Sequence, residues 1–298
     1  MRDIKYNLNL DKLEATYLLT TDFVNMINSK LESHYNRLDD KDNILIDYID
    51  FRLVVPNERI HLHYKYEFDL EVKDYSEEKG IYFRKFSKIF FGSNNPIRQQ
   101  LYILVSNYAL YNRDFLHLHF IEDVLGLQFL SISKLDLALD TNINIISKFY
   151  RILKDESYTP IILNKQYKDM DKIINEMTTI AKGTRKNPVK YKSFYLSNKE
   201  KGLELACYNK LKEIQDNNYN KQYILDKINF KPIYRLEIRT NHKMLKDTMD
   251  KLGFTDDDLF YNILFNEDML FKLYLSLLNR LIRIKYKNQT HSILEVIF

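Results

Sequence analysis

Cysteine is nearly absent. Cys207 stands alone in 298 residues, which excludes an internal disulfide framework and any zinc cluster built from several thiolates. Tryptophan is missing, and only 6 glycines and 5 prolines punctuate the chain, so Asn-rich stretches are expected to supply many turns. The opening MRDIKYNLNLDK has no apolar run of the signal-peptide kind. Nothing later reaches the roughly 18 uninterrupted apolar residues of a membrane span. Internal repeats and low-complexity linkers are lacking too. These absences lead to the expectation of a soluble, cytoplasmic protein with no membrane partner. Strong charge of one sign is also missing: a net +4 permits a polyanionic partner without arguing for one, so the distribution of charge must decide.

What is present is enough apolar material, 45 % of the chain, to bury a substantial core. Residues 10–35 read as helical, with charge among Leu13, Tyr17, Leu18 and Phe23. ILIDYIDFRLVV and RIHLHYKYEFDLEV, separated by Pro56-Asn57-Glu58, read as a hairpin. Residues 81–91 and 131–140 read as strands, 97–110 give mixed signals, and 114–127, 143–155 and 167–181 read as helices. Further strands are expected in the second half of KYKSFYLS, in GLELACYNK and in KPIYRLEIRT. From Lys243 onward the pattern is helical and ends in LLNRLIRIKYK. The fold class expected is α+β, a mostly antiparallel central sheet with helices on one face. Residues 1–240 would form the main domain and 241–298 a helical extension or subdomain.

In SKLDLALDTN, strand alternation turns Leu135, Leu137 and Leu139 one way and Asp136, Ala138 and Asp140 the other. In GLELACYNK, Glu204, Ala206, Tyr208 and Lys210 share a side; in YRLEIR, Arg235, Glu237 and Arg239 do. If the three strands lie in one sheet, their polar faces coincide. Hard divalent cations such as Mg²⁺ or Mn²⁺ take two or three carboxylates. Such an ion polarises a phosphoryl oxygen during in-line displacement. A tyrosine can serve as nucleophile, with Lys210 as a nearby cation. A mixed-charge face is equally what an antiparallel sheet shows to water.

The ordered series KLDLALD, FYLS, LELACYNKLKE, KQYI and YRLEIR resembles the motif order of replication-initiation factors of the Rep_trans type. These are rolling-circle initiators of plasmids and some phages, related to mobilisation relaxases. The resemblance covers roughly residues 90–250. Lys134-Leu135-Asp136-Leu137-Ala138-Leu139-Asp140 is similar to R-x-D-x-A-x-D, with lysine in place of arginine. Tyr208-Asn209-Lys210-Leu211-Lys212-Glu213 is similar to Y-x-K-x-x-E. Arg235, Glu237 and Arg239 match R-x-E-x-R. Ser197-Asn198-Lys199 departs from the family's Gly-Ser-Arg.

The resemblance implies a fold like that of the HUH nickases and Rep_trans initiators. It further implies that Tyr208 nicks one strand at an origin, keeps the 5′ phosphate and frees a 3′-OH to prime synthesis. Asp136, Asp140 and Glu237 would hold Mg²⁺ or Mn²⁺, and Lys210 would assist. The implied partners are origin DNA, single-stranded or melted at the nick, with host helicase and polymerase and a second copy as a homodimer, in the cytoplasm of a bacterial cell. A mobilisation relaxase with the same chemistry, or a non-catalytic DNA-binding protein of the same fold, are the competing readings.

Two His-Leu-His triplets compete as metal sites. His117 and His119 lie in a segment of helical spacing, where i and i+2 diverge by about 200°. His61 and His63 would share a strand face. For DNA contacts, Lys182, Arg185, Lys186, Lys190, Lys192, Lys199 and Lys201 cluster with Tyr191, Phe194 and Tyr195, pairing cations for phosphates with rings for bases. Arg235 and Arg239 join that set. Arg280, Arg283, Lys285 and Lys287 read as a basic helix that either grips duplex DNA or, the favoured reading, caps the domain.

Overall fold

The chain divides into two compact units, Met1–Asp11 with Lys134–Phe298, and Lys12–Ser133. The structure, a computed structural model, describes residues 3–35, 43–56, 63–93, 100–114, 116–168, 172–173, 178–184, 187–198, 200–217 and 221–298. Two strands, β1 (Tyr6–Leu18) and β7 (Gln128–Thr141), contribute residues to both units. The units therefore do not separate at residue 240, and 241–298 belongs with 134–240.

In the 12–133 unit the strand order is β1–β6–β5–β4–β3–β2, with β2 (Ile44–Asp47), β3 (Phe51–Val54), β4 (Tyr64–Ser76), β5 (Gly80–Ser93) and β6 (Gln100–Val105). Helices α1 (Thr21–Tyr35), α2 (Asn107–Asn112) and α3 (Leu116–Leu125) accompany them. The helix expected over 10–35 begins only at Thr21, because its first part is strand β1. Leu13, Ala15 and Tyr17 are fully buried on one side, and Glu14 and Thr16 nearly so on the other. Burial on both faces and pairing with β6 outweigh the helix preference of Leu, Glu and Ala. The Ser133 hydroxyl donates to the buried Glu14 carboxylate at 2.7 Å. The segment 44–55 is not one strand but a hairpin of its own, Ile44 opposite Val54, and β3 then pairs with β4. α3 carries both His117 and His119, as its spacing indicated. His117 meets the Phe86 ring and His119 approaches Glu122. His61 lies outside the described residues.

In the unit built around 134–298 the strand order is β10–β11–β12–β13–β7–β1. Its elements are β10 (Thr178–Thr184), β11 (Asn187–Asn198), β12 (Leu203–Asn209) and β13 (Tyr234–Asn241). A second sheet runs β15–β14–β8–β9, from β8 (Tyr158–Ile162), β9 (Lys165–Gln166), β14 (Ile282–Tyr286) and β15 (Gln289–Ser292). The helices are α4 (Ile145–Lys154), α5 (Lys210–Asp216), α6 (Gln222–Lys227), α7 (His242–Leu252), α8 (Asp256–Tyr261), α9 (Glu267–Leu281) and α10 (Ile293–Ile297).

The core forms where α4, α7 and α9 cover one sheet face. α9 buries Leu270, Leu273, Tyr274, Leu277, Leu278 and Leu281, the i, i+3, i+4, i+7 stripe of an amphipathic helix. Opposite lie Leu203, Leu205, Cys207, Leu236 and Ile238, all at most 2 % exposed. The Tyr274 hydroxyl donates to the Leu236 carbonyl at 2.9 Å, which fixes α9 on β13. Two expectations change. The helix expected over 167–181 does not hold at its end, since 178–184 is strand β10. The basic terminal segment leaves the helix at Leu281, so Arg280 is helical while Arg283 and Lys285 stand on β14. β-branched Ile282 and Ile284, 1 % and 0 % exposed, alternate with those cations and pair against β8. That period-2 pattern belongs to a strand.

Candidate active site

The side of this sheet away from α9 carries the polar residues. Across β12 and β13, Tyr208 lies opposite Arg235, Ala206 opposite Glu237 and Glu204 opposite Arg239. Across β13 and β7, Arg235 lies opposite Asp140, Glu237 opposite Ala138 and Arg239 opposite Asp136. Three segments distant in sequence thus bring Tyr208, Asp136, Asp140, Arg235, Glu237 and Arg239 onto one face. Small Ala138 and Ala206 flank Glu237 and leave it room.

The hydrogen bonds divide these residues into two clusters. In the first, the Tyr208 hydroxyl donates to Glu237 Oε2 at 2.7 Å, and Arg239 Nε donates to Glu237 Oε1 at 2.7 Å. Glu237 is 2 % exposed, while the Arg239 side chain is 46 % exposed, so the guanidinium reaches from a buried acid out to solvent. Burial pushes the Tyr208 phenol well above its ordinary range. Arg235 opposes that rise, and the Glu237 carboxylate adds to it.

In the second cluster, Arg235 binds Asp140 twice, Nε to Oδ1 and Nη2 to Oδ2, each at 2.8 Å. Its Nη1 donates to Asp11 Oδ1 at 2.7 Å. Both Arg235 and Asp140 are fully buried, and Asn9 Nδ2 donates to Asp140 at 3.3 Å. This planar fork on a carboxylate satisfies charges that could not otherwise be buried.

Lys210 is not on the strand. It is the first residue of α5, capped by Asn209, whose side chain accepts from the Lys212 N–H. Its ammonium lies 2.9 Å from Glu213 and 5.6 Å from the centre of the Tyr208 ring. Burial, followed by repulsion from Arg235, pulls its pKa down, and Glu213 partly opposes that.

Whether Asp136, Asp140 and Glu237 suit a Mg²⁺ or Mn²⁺ ion follows from these contacts. Both Asp140 oxygens are occupied by one guanidinium, and Glu237 is shared by Tyr208 and Arg239. Asp136 stands opposite Arg239. Among the described residues no group of three or more His, Cys, Asp or Glu side chains is placed to hold a metal. The acids meet cations of the protein rather than a common centre. The expected metal centre does not fit this arrangement.

No protein-family model matches the chain, and no curated protein does. A solved structure titled "Structure of Rolling Circle Replication Initiator Protein from Geobacillus stearothermophilus" is similar at a TM-score of 0.45 and 11 % identity, over 96 % of this chain and 88 % of that one. A resemblance of that size bears on neither the reaction nor the residues.

Asp11, Asn9 and Tyr223 belong to the site and escaped the sequence reading. Asp11 was hidden by the helical reading of residues 10–35, and Asn9 lies just before it, in a stretch given no element. In NLNLD the polar residues alternate, which is the strand signal that would have found them. Tyr223, on α6, senses the charges of Asp11 and Arg235, and burial raises its pKa. Of the expected DNA contacts, Lys186 and Lys199 lie outside the described residues. Lys190 is on β11 opposite Lys182. Lys192 is on β11 and exposed.

Proposed function

We propose that the protein is a replication initiator that nicks one DNA strand through Tyr208 and transfers it. The observation that carries the reading is the Tyr208 hydroxyl held 2.7 Å from Glu237. It stands on a sheet face where residues far apart in sequence, each anticipated from its motif, meet. In the proposed step the phenol gives its proton to Glu237, and the phenolic oxygen bonds to the scissile phosphorus. The P–O3′ bond breaks, and O3′ leaves as a hydroxyl after taking a proton from solvent. The 5′ phosphate stays on Tyr208, and attack by a 3′-OH reverses the step and joins strands. Arg239 offers N–H donors to the phosphate oxygens, and the Lys210 ammonium adds positive charge beside the nucleophile. Lys192 and Lys190, with Lys186 and Lys199, are the proposed strand contacts. A mobilisation relaxase would share every atom of this chemistry.

One observation favours a second reading, a non-catalytic DNA-binding protein of the same fold. Burial keeps the Tyr208 phenol protonated, which suits a structural hydrogen bond as well as a resting nucleophile. Supercoiled DNA carrying the protein's own locus, with Mg²⁺ or Mn²⁺ supplied, separates the two. Nicking with covalent protein on the nicked circle, lost in Tyr208→Phe while binding remains, supports the enzyme. Binding with no adduct by the unaltered protein supports the second reading.

A further inference from the structure

On the same unit, away from Tyr208, α7 and α9 enclose a cleft of about 630 Å³ with the turns after β8 and β11. That volume is in the range of ligand sites. Its lining carries five cations, Lys201, Lys243, Lys251, Arg280 and Arg283, against one acid, Asp247. The chain as a whole is nearly balanced, with 45 basic and 41 acidic residues, so this imbalance is local. Asp247 is already engaged. Arg280 pairs with its carboxylate and donates to its backbone carbonyl at 3.0 Å, and Lys251 lies 3.3 Å away. Arg283 spends one N–H on neutral Asn164 Oδ1, at 2.9 Å, so its charge is uncompensated by that bond. Lys201 and Lys243 are exposed. Asn279, also in the lining, has its Oδ1 buried with no hydrogen-bond partner among the described residues. An amide turned end for end would offer N–H groups there instead.

We propose that this cleft binds the phosphodiester backbone of single-stranded DNA, with Lys201, Lys243 and Arg283 as phosphate contacts. Phosphate is the anion such a cation-rich, partly walled surface recognises. The tie to DNA rests on the function proposed above and on position. Leu203, in the lining, begins the strand that carries Tyr208, five residue steps or about 17 Å away. Arg239, the exposed cation of the site, lies opposite Glu204 and four residues before Lys243.

The test is the affinity of the full chain for a fluorescent single strand from its own locus across a salt series. The Lys201→Gln/Lys243→Gln/Arg283→Gln variant is compared with Lys154→Gln/Lys227→Gln/Lys272→Gln, exposed lysines outside the cleft. The first variant should bind more weakly, and its log–log salt slope should fall by about 2, near 0.7 for each lost contact. The second should keep the slope. Equal slopes in all three proteins overturn the cleft proposal, as does the absence of DNA binding by the unaltered protein. Calorimetry with inorganic pyrophosphate and a nucleoside triphosphate gives the other arm. Tight binding of either that vanishes in the first variant, with its DNA slope unchanged, assigns the cleft to a free phosphate ligand and overturns the DNA assignment. Nicking is scored separately: a cleft-dependent slope without any Tyr208 adduct leaves the cleft standing and removes the nickase.

Discussion

At the scale of residues, two contacts decide what the polar face can do. The Tyr208–Glu237 hydrogen bond is the first. Tyr208→Phe should lose the covalent DNA adduct and retain DNA binding, checked by denaturing gels and anisotropy. An adduct that survives this change and disappears in Tyr223→Phe would move the nucleophile to α6. The same substitution has a pH signature. The Tyr208 pKa is raised above its ordinary value of 10.0 in the folded state, so the unfolded chain loses this proton first. Stability contributed by the protonated phenol is complete below pH 10 and is lost as pH rises toward the folded pKa. Urea titrations should therefore show the gap between the unaltered protein and Tyr208→Phe narrowing above pH 10. A gap that stays constant there would mean that the phenol is not held as described. The second contact is the Arg235–Asp140 fork. Asp140→Ala leaves a buried guanidinium with Asp11 alone and should cost about 3–5 kcal/mol, read as a lower urea midpoint. Asp136→Asn, at a half-exposed position, should cost much less. Equal, small losses in both would contradict the structural role assigned to Asp140.

Among the elements, the junction of β11, β12 and α7 has no room for a side chain at Gly202. Gly202 adopts φ +65, and a Cβ there would stand 1.8 Å from Asn241 Nδ2. Asn241 cannot yield easily. Its backbone N–H donates to the Gly202 carbonyl at 3.0 Å, and its side chain accepts from the Met244 N–H at 3.1 Å to cap α7. Gly202→Ala combines left-handed strain with a lost cap and should destabilise by about 2–4 kcal/mol, measured by thermal or urea unfolding. A loss below ~0.5 kcal/mol would show that the turn relaxes freely.

Legibility in the sequence also varied by element. β7, β12 and β13 carry period-2 patterns, and apart from Lys210, which opens α5 instead of extending β12, their faces follow the alternation because one side buries apolar residues and the other holds charge. β1 was misread because it is buried on both sides, which erases the alternation in its second half. β14 was taken as helix since its cations continue the pattern of α9. What ends the helix is pairing with β8, a partner more than a hundred residues earlier. Of the candidate site, Tyr208, Asp140, Arg235, Glu237 and Arg239 could be picked out from their strand patterns while Asn9, Asp11 and Tyr223 could not, and no sequence pattern says that Arg235 will take both oxygens of Asp140.

For the whole molecule, the charge pattern leads to a prediction about metal. An ion bound by a preformed site stabilises the folded state by about 2.7 kcal/mol at a hundred times its Kd, which for a chain of this size is a shift of several degrees. With the acids paired to arginines, millimolar Mg²⁺ or Mn²⁺ should leave the melting temperature where chelator leaves it. A rise of several degrees, removed by Glu237→Gln, would show that the arginines give way and that the acids form a metal centre. Among the described residues no helix is long and apolar enough to cross a membrane.

The sequence by itself determined which residues are polar on one strand face and apolar on the other, because alternation is a local property of extended backbone. It also determined where cations concentrate. Only the tertiary structure decided that β12, β13 and β7 are neighbours in a register that sets Tyr208 on Glu237 and Arg235 on Asp140. It alone brought Lys201, Lys243 and Arg283 around one cleft. Those outcomes depend on long-range pairing and burial, whose energies belong to the assembled sheet and not to any window of the chain.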